Sequence, residues 1–416
     1  MKKMLRRALL GGVAVAAMAA GAQAGELEAL KAQLEALQTR VATMEARSAA
    51  LPEGASLITM QRGSTASADA LFANHMLDKS AASRGATIAI TPTADLPAPV
   101  ASIELSGHVR GLAFFHDEGN SAKLDDFDMQ ARGQIDVRAT VDTAMGRVTG
   151  GIQVRGDMGG GGNYTPDLDI RTAWATWQMT DALSLTFGQT GQIATLSNVS
   201  SGLLTPDHPF GPDNSRRPQF RITYAQGPFN LRFGIEDPSV VGNDNTMPAI
   251  AGSMGFNMGP VGFRVGGEVD KTVGSGGTGK STGWLVNGGV NFAMGGMVNL
   301  NAGVVYTNGL AGDGLVDTGH TTSGSVISRK GVKLLGGQVN MGLTMTETTS
   351  LNASFGYYDS KGDPTWDKGW NAGANIVYRP VDALQFAAEV GYSSNKRVAG
   401  SRDKGLVVGV ATWFFF

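Results

Sequence analysis

The chain has 416 residues, 42% of them hydrophobic and 17% charged, with 59 glycines and no cysteine. Its formal net charge of −2 gives no basic surplus for nucleic-acid binding. The lack of cysteine excludes disulfides, thiolate metal sites and thiol nucleophiles. The five histidines are scattered without metal-ligand spacing. After the N-terminus no apolar run approaches ~18 residues, so no helical membrane span is expected.

The chain opens MKKMLRRALLGGVAVAAMAAGAQA. Lys2, Lys3, Arg6 and Arg7 precede a short apolar run, and Ala22-Gln23-Ala24 forms a small-residue cleavage site. Residues 1–24 read as a secretory signal peptide cut after Ala24, the run being too short to span a bilayer. Removing its four basic residues from 34 leaves 30 against 36 acidic, so the mature chain is mildly acidic.

Residues 25–47 carry a helical period. Leu27, Leu34 and Val41 fall at a positions, and Leu30, Leu37 and Met44 at d positions of a coiled coil. The g-to-e pairs of a parallel homo-oligomer are Glu26 with Lys31, Gln33 with Gln38, and Arg40 with Glu45, with both ionic pairs opposite in sign. Three heptads are marginal alone, so other contacts must help to hold the chains together. Residues 48–101, rich in Ala, Ser, Thr and Pro, read as a periplasmic linker with a short helix near 68–79.

From 102 to 416 the period becomes two. In DDFDMQARGQIDVRATVD (125–142), Phe127, Met129, Ile135, Val137 and Val141 share one face, and Asp128, Gln130, Arg132, Asp136 and Arg138 share the other. Sixteen such strands are expected, near 102–115, 124–142, 147–157, 168–179, 182–189, 216–226, 230–236, 248–257, 261–270, 283–294, 297–307, 332–344, 350–358, 370–379, 383–393 and 404–416. Short turns such as Thr143–Gly146, Gly227–Phe229 and Pro380–Asp382 alternate with longer loops at 116–123, 158–167, 190–215, 237–247, 271–282, 308–331, 359–369 and 394–403. An even strand count, short turns on one rim and long loops on the other describe a 16-stranded antiparallel transmembrane β-barrel. Its backbone groups have no water to bond in a bilayer, so the sheet must close. Aromatics near strand ends, among them Phe115, Tyr224, Trp284, Tyr306, Tyr357, Trp370, Tyr378 and Tyr392, suit interfacial girdles.

One motif points elsewhere. GSGGTGKS (274–281) fits the phosphate-binding pattern G-x-x-x-x-G-K-[ST]. A working P-loop joins a strand to a helix, whereas here TGWLVN follows and enters another strand. The motif reads as a flexible external loop, with no nucleotide expected.

The ordering of signal peptide, coiled coil, linker and sixteen-stranded barrel resembles the DcaP-like trimeric outer-membrane porins. Locally, Phe187-Gly188-Gln189 ends the fifth strand, Arg216-Arg217-Pro218-Gln219-Phe220-Arg221-Ile222 opens the sixth, and Ile235-Glu236-Asp237-Pro238 closes the seventh, where the family tends to have Asn in place of Asp237. The chain ends in Phe416 on an alternating strand, which resembles an outer-membrane assembly signal, with Ala411 where Gly is usual. A related general bacterial porin shares this architecture. The resemblance implies a homotrimer in the bacterial outer membrane, with its N-terminal segment in the periplasm and lipid around it. It implies a channel for passive diffusion of small hydrophilic solutes, and no enzyme, cofactor or metal. It also implies that the loop 190–215 folds into the barrel, with Asp207 and Asp213 as its acidic members.

Polar-face parity places Arg110, Arg132, Arg138, Arg155, Arg171, Arg217, Arg221 and Arg232 in the lumen. Facing an acidic loop they would make a transverse field favouring organic anions. Paired with Asp126, Asp136 and Glu236 they would only solvate the wall. The alternative function is a structural protein anchoring the envelope through the N-terminal coiled coil.

Overall fold

The computed structural model describes residues 56–62, 86–92, 101–116, 126–159, 167–203, 216–238, 247–273, 280–310 and 329–416. The signal peptide, the coiled coil and the short helix near 68–79 lie outside the described residues. The stretch read as a linker does contain secondary structure. β1 (Ser56–Arg62) and β2 (Ala86–Pro92) are short strands that pair with each other. Their sequences, SLITMQR and ATIAITP, are rich in β-branched residues but too short to reveal a period.

Sixteen further strands lie among the described residues of 101–416. They are β3 (Ala101–His116), β4 (Asp126–Thr143), β5 (Gly146–Gly159), β6 (Asp167–Gln178), β7 (Leu183–Gly191), β8 (Arg216–Gln226), β9 (Phe229–Glu236) and β10 (Ala249–Met258). Then follow β11 (Val261–Val273), β12 (Lys280–Met294), β13 (Val298–Asn308), β14 (Lys333–Thr344), β15 (Thr349–Lys361), β16 (Trp366–Val381), β17 (Leu384–Arg397) and β18 (Arg402–Phe415). Each pairs antiparallel with its chain neighbour, and β18 pairs with β3, so the sheet closes into a barrel.

Three expected loops are shorter than the sequence suggested. Strands take up half or more of 271–282, 359–369 and 394–403, leaving connections at 274–279, 362–365 and 398–401. Polar residues such as Lys361, Lys368 and Lys396 interrupt the apolar alternation and so fall outside the expected strands. They continue the ladders instead, with Lys333 opposite Lys361 and Lys368 opposite Lys396. For the same reason Lys280 and Ser281 of the phosphate-loop pattern belong to β12, with Lys280 opposite Val273. A strand, not a helix, follows the motif.

The faces sort as the period requires. On β4, Phe127, Met129 and Ile135 are exposed, whereas Arg132 and Gln134 are buried. The same apolar exterior runs around the barrel through Phe233, Val304, Phe355 and Val410. In water each such side chain forgoes about 1.5–3 kcal/mol of burial, so this exterior calls for an apolar solvent. The C-terminus completes the closure. Gly107 N–H donates to the Phe416 carbonyl at 2.9 Å, and Phe416 N–H to the Gly107 carbonyl at 3.0 Å. A Cβ at position 107 would lie 2.3 Å from the Gln134 carbonyl oxygen and 2.7 Å from the Phe416 ring, so only glycine fits there.

Candidate functional site

The interior is shaped by the connection between β7 and β8. Residues 192–203 leave the strand end and run along the inner wall from β9 to β16. Glu236 on β9 accepts the Ile193 N–H at 2.7 Å. Arg264 on β11 donates to Ser197 Oγ at 2.9 Å and to the Ile193 carbonyl at 3.3 Å. Asn287 on β12 donates to the Ala194 carbonyl at 2.8 Å. Asn301 on β13 accepts the Ser200 N–H and donates to the Ser200 carbonyl, both at 3.0 Å. Asn375 on β16 donates to the Gly202 carbonyl at 2.9 Å.

This segment also has an apolar underside. Ile193, Ala194, Leu196 and Val199 are buried. They sit over wall positions that have no side chain. A Cβ at Gly266 would be 2.6 Å from the Ala194 carbonyl oxygen, and one at Gly289 would be 2.6 Å from Val199. Burying a Val, Leu or Ile side chain contributes about 1.5–3 kcal/mol, so the segment is held by packing as well as by hydrogen bonds. Sequence reasoning missed the wall asparagines. Their signal was present as a polar amide at the inward parity of successive strands: Asn287, Asn301, Asn340, Asn352 and Asn375. Several are linked to one another, with Asn340 donating to Asn301 at 2.6 Å and Asn352 to Asn375 at 2.8 Å.

The arginines fall into distinct groups. Arg110, Arg132 and Arg155 lie together on β3, β4 and β5. Arg110 is directly opposite Arg132, and Gln134 is opposite Arg155. Asp157 serves two of them, accepting from Arg132 Nε at 2.5 Å through one oxygen and from Arg155 Nε through the other. All three guanidinium-bearing residues are buried on the wall. Arg138, on β4, lies with its guanidinium carbon 5.9 Å from the Trp174 ring centroid. Trp174 has room because Gly151 faces it: a Cβ there would come within 2.8 Å of the indole.

The second group is on β8 and β9. Arg217 meets Glu268 at 2.7 Å and Asp270 at 3.6 Å, both on β11. Arg221 donates to Gln219 at 3.3 Å and to Thr186 at 3.5 Å. Arg232 is buried on β9 at the inward parity. Two of the acids expected to pair with arginine have other donors as well. Asp136 accepts from Gln153 at 2.6 Å and Gln134 at 2.9 Å, and Glu236 accepts from Ile193 N–H and Gln219. The side chain of Asp126 lies outside the described set, as do Asp207 and Asp213.

Arg171 departs from simple parity. Thr172 is opposite Gln153, but Ile170 is opposite Val154, so Arg171 is the extra residue of a β-bulge. Strict alternation from Ala173 and Ala175 would turn it outward; the bulge instead sets it beside Thr172, near enough to the buried His108 to act on it electrostatically. The bulge disturbs the ladder locally, and Gln189 repairs it by donating to the Ile170 and Arg171 carbonyls at 3.3 and 3.1 Å. A bulge has no signal in hydrophobic periodicity beyond an apparent slip.

The arrangement is therefore a closed barrel with a folded segment fixed to one part of its wall. Arg110, Arg132 and Arg155 stand on β3 to β5, whereas the hydrogen bonds named above that fix the segment come from β9 to β16. Among the described residues no cluster of His, Asp or Glu is arranged to hold a metal.

No protein-family model and no curated protein matches the chain. Its fold is similar to those of several solved outer-membrane structures. The outer-membrane channel DcaP of Acinetobacter baumannii is 19% identical, with a TM-score of 0.62 over 76% of this chain and 97% of that one. An anion-selective porin from Comamonas acidovorans is 15% identical, with a TM-score of 0.56 over 76% and 100%. OmpT of Vibrio cholerae in a trimer form is 12% identical, with a TM-score of 0.54 over 76% and 99%.

Proposed function

We propose that the protein is an outer-membrane porin: a water-filled channel for passive diffusion of small hydrophilic solutes, with a preference for organic anions. The observation that carries this reading is the seating of residues 192–203 inside the barrel, on a wall from β9 to β16, while Arg110, Arg132 and Arg155 stand on β3 to β5. A sixteen-stranded barrel is wide enough for an aqueous channel. An inward segment narrows it, and solute charge is then sensed at short range, where screening is weakest. Asp157 accepts from Arg132 and Arg155, and Arg110 stands directly opposite Arg132, so three guanidiniums line this part of the wall. The similarity to channels and to an anion-selective porin supports the reading at the level of fold.

The working unit is a homotrimer, supported by the fold shared with a trimeric OmpT and by the coiled-coil pattern at 25–47. The N-terminal segment is assigned to the periplasm because the chain enters β3 at Ala101 on the rim that holds the tight turns, the rim towards which β18 runs. The test is reversal potential in planar bilayers under a salt gradient, with current block by an added dicarboxylate. Anion preference and block support the proposal. Strong cation selectivity overturns the preference, and a folded protein without conductance favours the envelope-anchoring alternative.

A further inference from the structure

The outer surface carries a charge pattern that the channel does not use. On β16, Tyr378 and Trp370 both face outward and are eight residues apart. At ~3.3 Å per residue and a tilt near 40° they are roughly 20 Å apart along the barrel axis, the span of an apolar band between two aromatic girdles. Lys368 lies two residues beyond Trp370 on the same face, roughly 5 Å further along that axis. That is the level of lipid headgroups, at the barrel end opposite the tight turns.

Lys368 is one of a row. It is directly opposite Lys396 on β17, and Lys396 is directly opposite Arg402 on β18. Lys404, two residues on from Arg402, is opposite Ser394. On the other flank Lys333 of β14 is directly opposite Lys361 of β15, four residues beyond the outward Tyr357. Like charges directly opposite one another destabilise a ladder. Two carboxylates offset part of this: Asp367 contacts Lys396 at 2.6 Å, and Asp359 is opposite Lys368. Lys333, Lys361, Lys368 and Lys404 have no ion pair among the described residues. Six cations with two acids on five adjacent strands, placed just past the girdle, form a surface that an external polyanion would complete.

The geometry points to a binding surface for a phosphorylated glycolipid of the outer leaflet, with its headgroup phosphates on Lys361, Lys368, Lys396, Arg402 and Lys404 and its acyl chains along the outer faces of β15–β18. The outward Phe355, Tyr357, Val390 and Val408 continue the apolar face directly below the cations. A free phosphate ion would gain the charge contacts but not this apolar surface, which is why the occupant is a lipid. This inference rests on the outer-membrane reading.

The experiment uses the full-length protein in mild detergent and bisphosphorylated lipid A as probe, with binding read by native mass spectrometry. The comparison probes are the fully dephosphorylated lipid and sodium pyrophosphate. Wild type should retain lipid A and not the dephosphorylated form. K361Q/K368Q/K404Q should bind it roughly tenfold or more weakly, since each cation near an anionic surface contributes to attraction. K361R/K368R/K404R should restore binding, and K271Q, an exchange on β11, should leave it unchanged. Equal retention of lipid A by the glutamine variant, or equal retention of the dephosphorylated lipid, overturns the inference. So does binding of pyrophosphate without lipid A. Folding of each variant is checked by heat-modifiable migration. Conductance is recorded in parallel, so a failed channel reading is seen separately from a failed lipid site.

Discussion

The carboxylate of Glu236 accepts the backbone N–H of Ile193, 43 positions earlier in the chain, at 2.7 Å. Both residues are buried, so this bond ties the first turn of the folded-in segment to the barrel wall. Glu236→Ala leaves a buried N–H without its acceptor, at a cost of about 1–3 kcal/mol. The segment should loosen, and single-channel conductance should rise or become noisier. Glu236→Gln keeps an acceptor oxygen and should do less. Wild-type conductance and thermal stability in Glu236→Ala would show that the anchor is dispensable.

Arg264 acts at the same place through a different bond set, reaching Ser197, the Ile193 carbonyl and Ser253. It should matter for the position of the segment more than for charge selection. Arg264→Ala is expected to lower the melting temperature and raise conductance while shifting reversal potential little. A large selectivity change at constant conductance would contradict this assignment.

Charge selection should depend on two arginine groups in different ways. Arg217 pairs with Glu268 and lies near Asp270, so Arg217→Ala with Arg221→Ala removes two cations and leaves two lumen carboxylates with less compensation. Reversal potential should move strongly towards cations. Arg110→Ala removes a cation beside Arg132 and should shift it less. Two unit charges ~4 Å apart interact by about 1 kcal/mol even in bulk-water screening, so each change should be measurable. An unchanged reversal potential in the double variant would make these arginines wall partners only.

Asn301 holds Ser200 through both its donor and its acceptor. Asn301→Asp keeps the acceptor and loses the donor, and Asn301→Ala loses both together with the hydrogen bond accepted from Asn340. Unfolding measurements should rank wild type above Asp and Asp above Ala, with about 1 kcal/mol for each hydrogen bond lost. Equal stability of all three proteins would remove the clamp role.

Lys280→Ala should leave folding, conductance and nucleotide binding as they are, since the motif leads into β12. ATP binding by the wild type that this substitution abolishes would reverse that reading. Deletion of residues 25–47 should leave a trimer of lower thermal stability. A monomeric intact protein in mild detergent would count against the trimer.

The strands and their faces were legible because the barrel makes every spanning segment solve one local problem. Phe127, Met129 and Ile135 must face lipid, while Arg132 and Gln134 face the lumen, and that alternation is written residue by residue. Where lipid no longer imposes it, the reading stopped short. Lys361, Lys368 and Lys396 lie beyond the apolar band, so the ladders that include them carry no apolar alternation by which to tell them from loops.

The sequence by itself determined the closed antiparallel barrel, its sixteen strands and the inward parity of most of the arginines, because these follow from a period of two and from backbone groups that lipid cannot satisfy. Only the tertiary structure decided which acid each arginine meets, where Arg171 interrupts β6, and how residues 192–203 are seated. Those depend on register and on contacts between distant strands: Arg217 with Glu268, Asn375 with Gly202. Such contacts bring together residues far apart in the chain, and no local pattern of residue types encodes them.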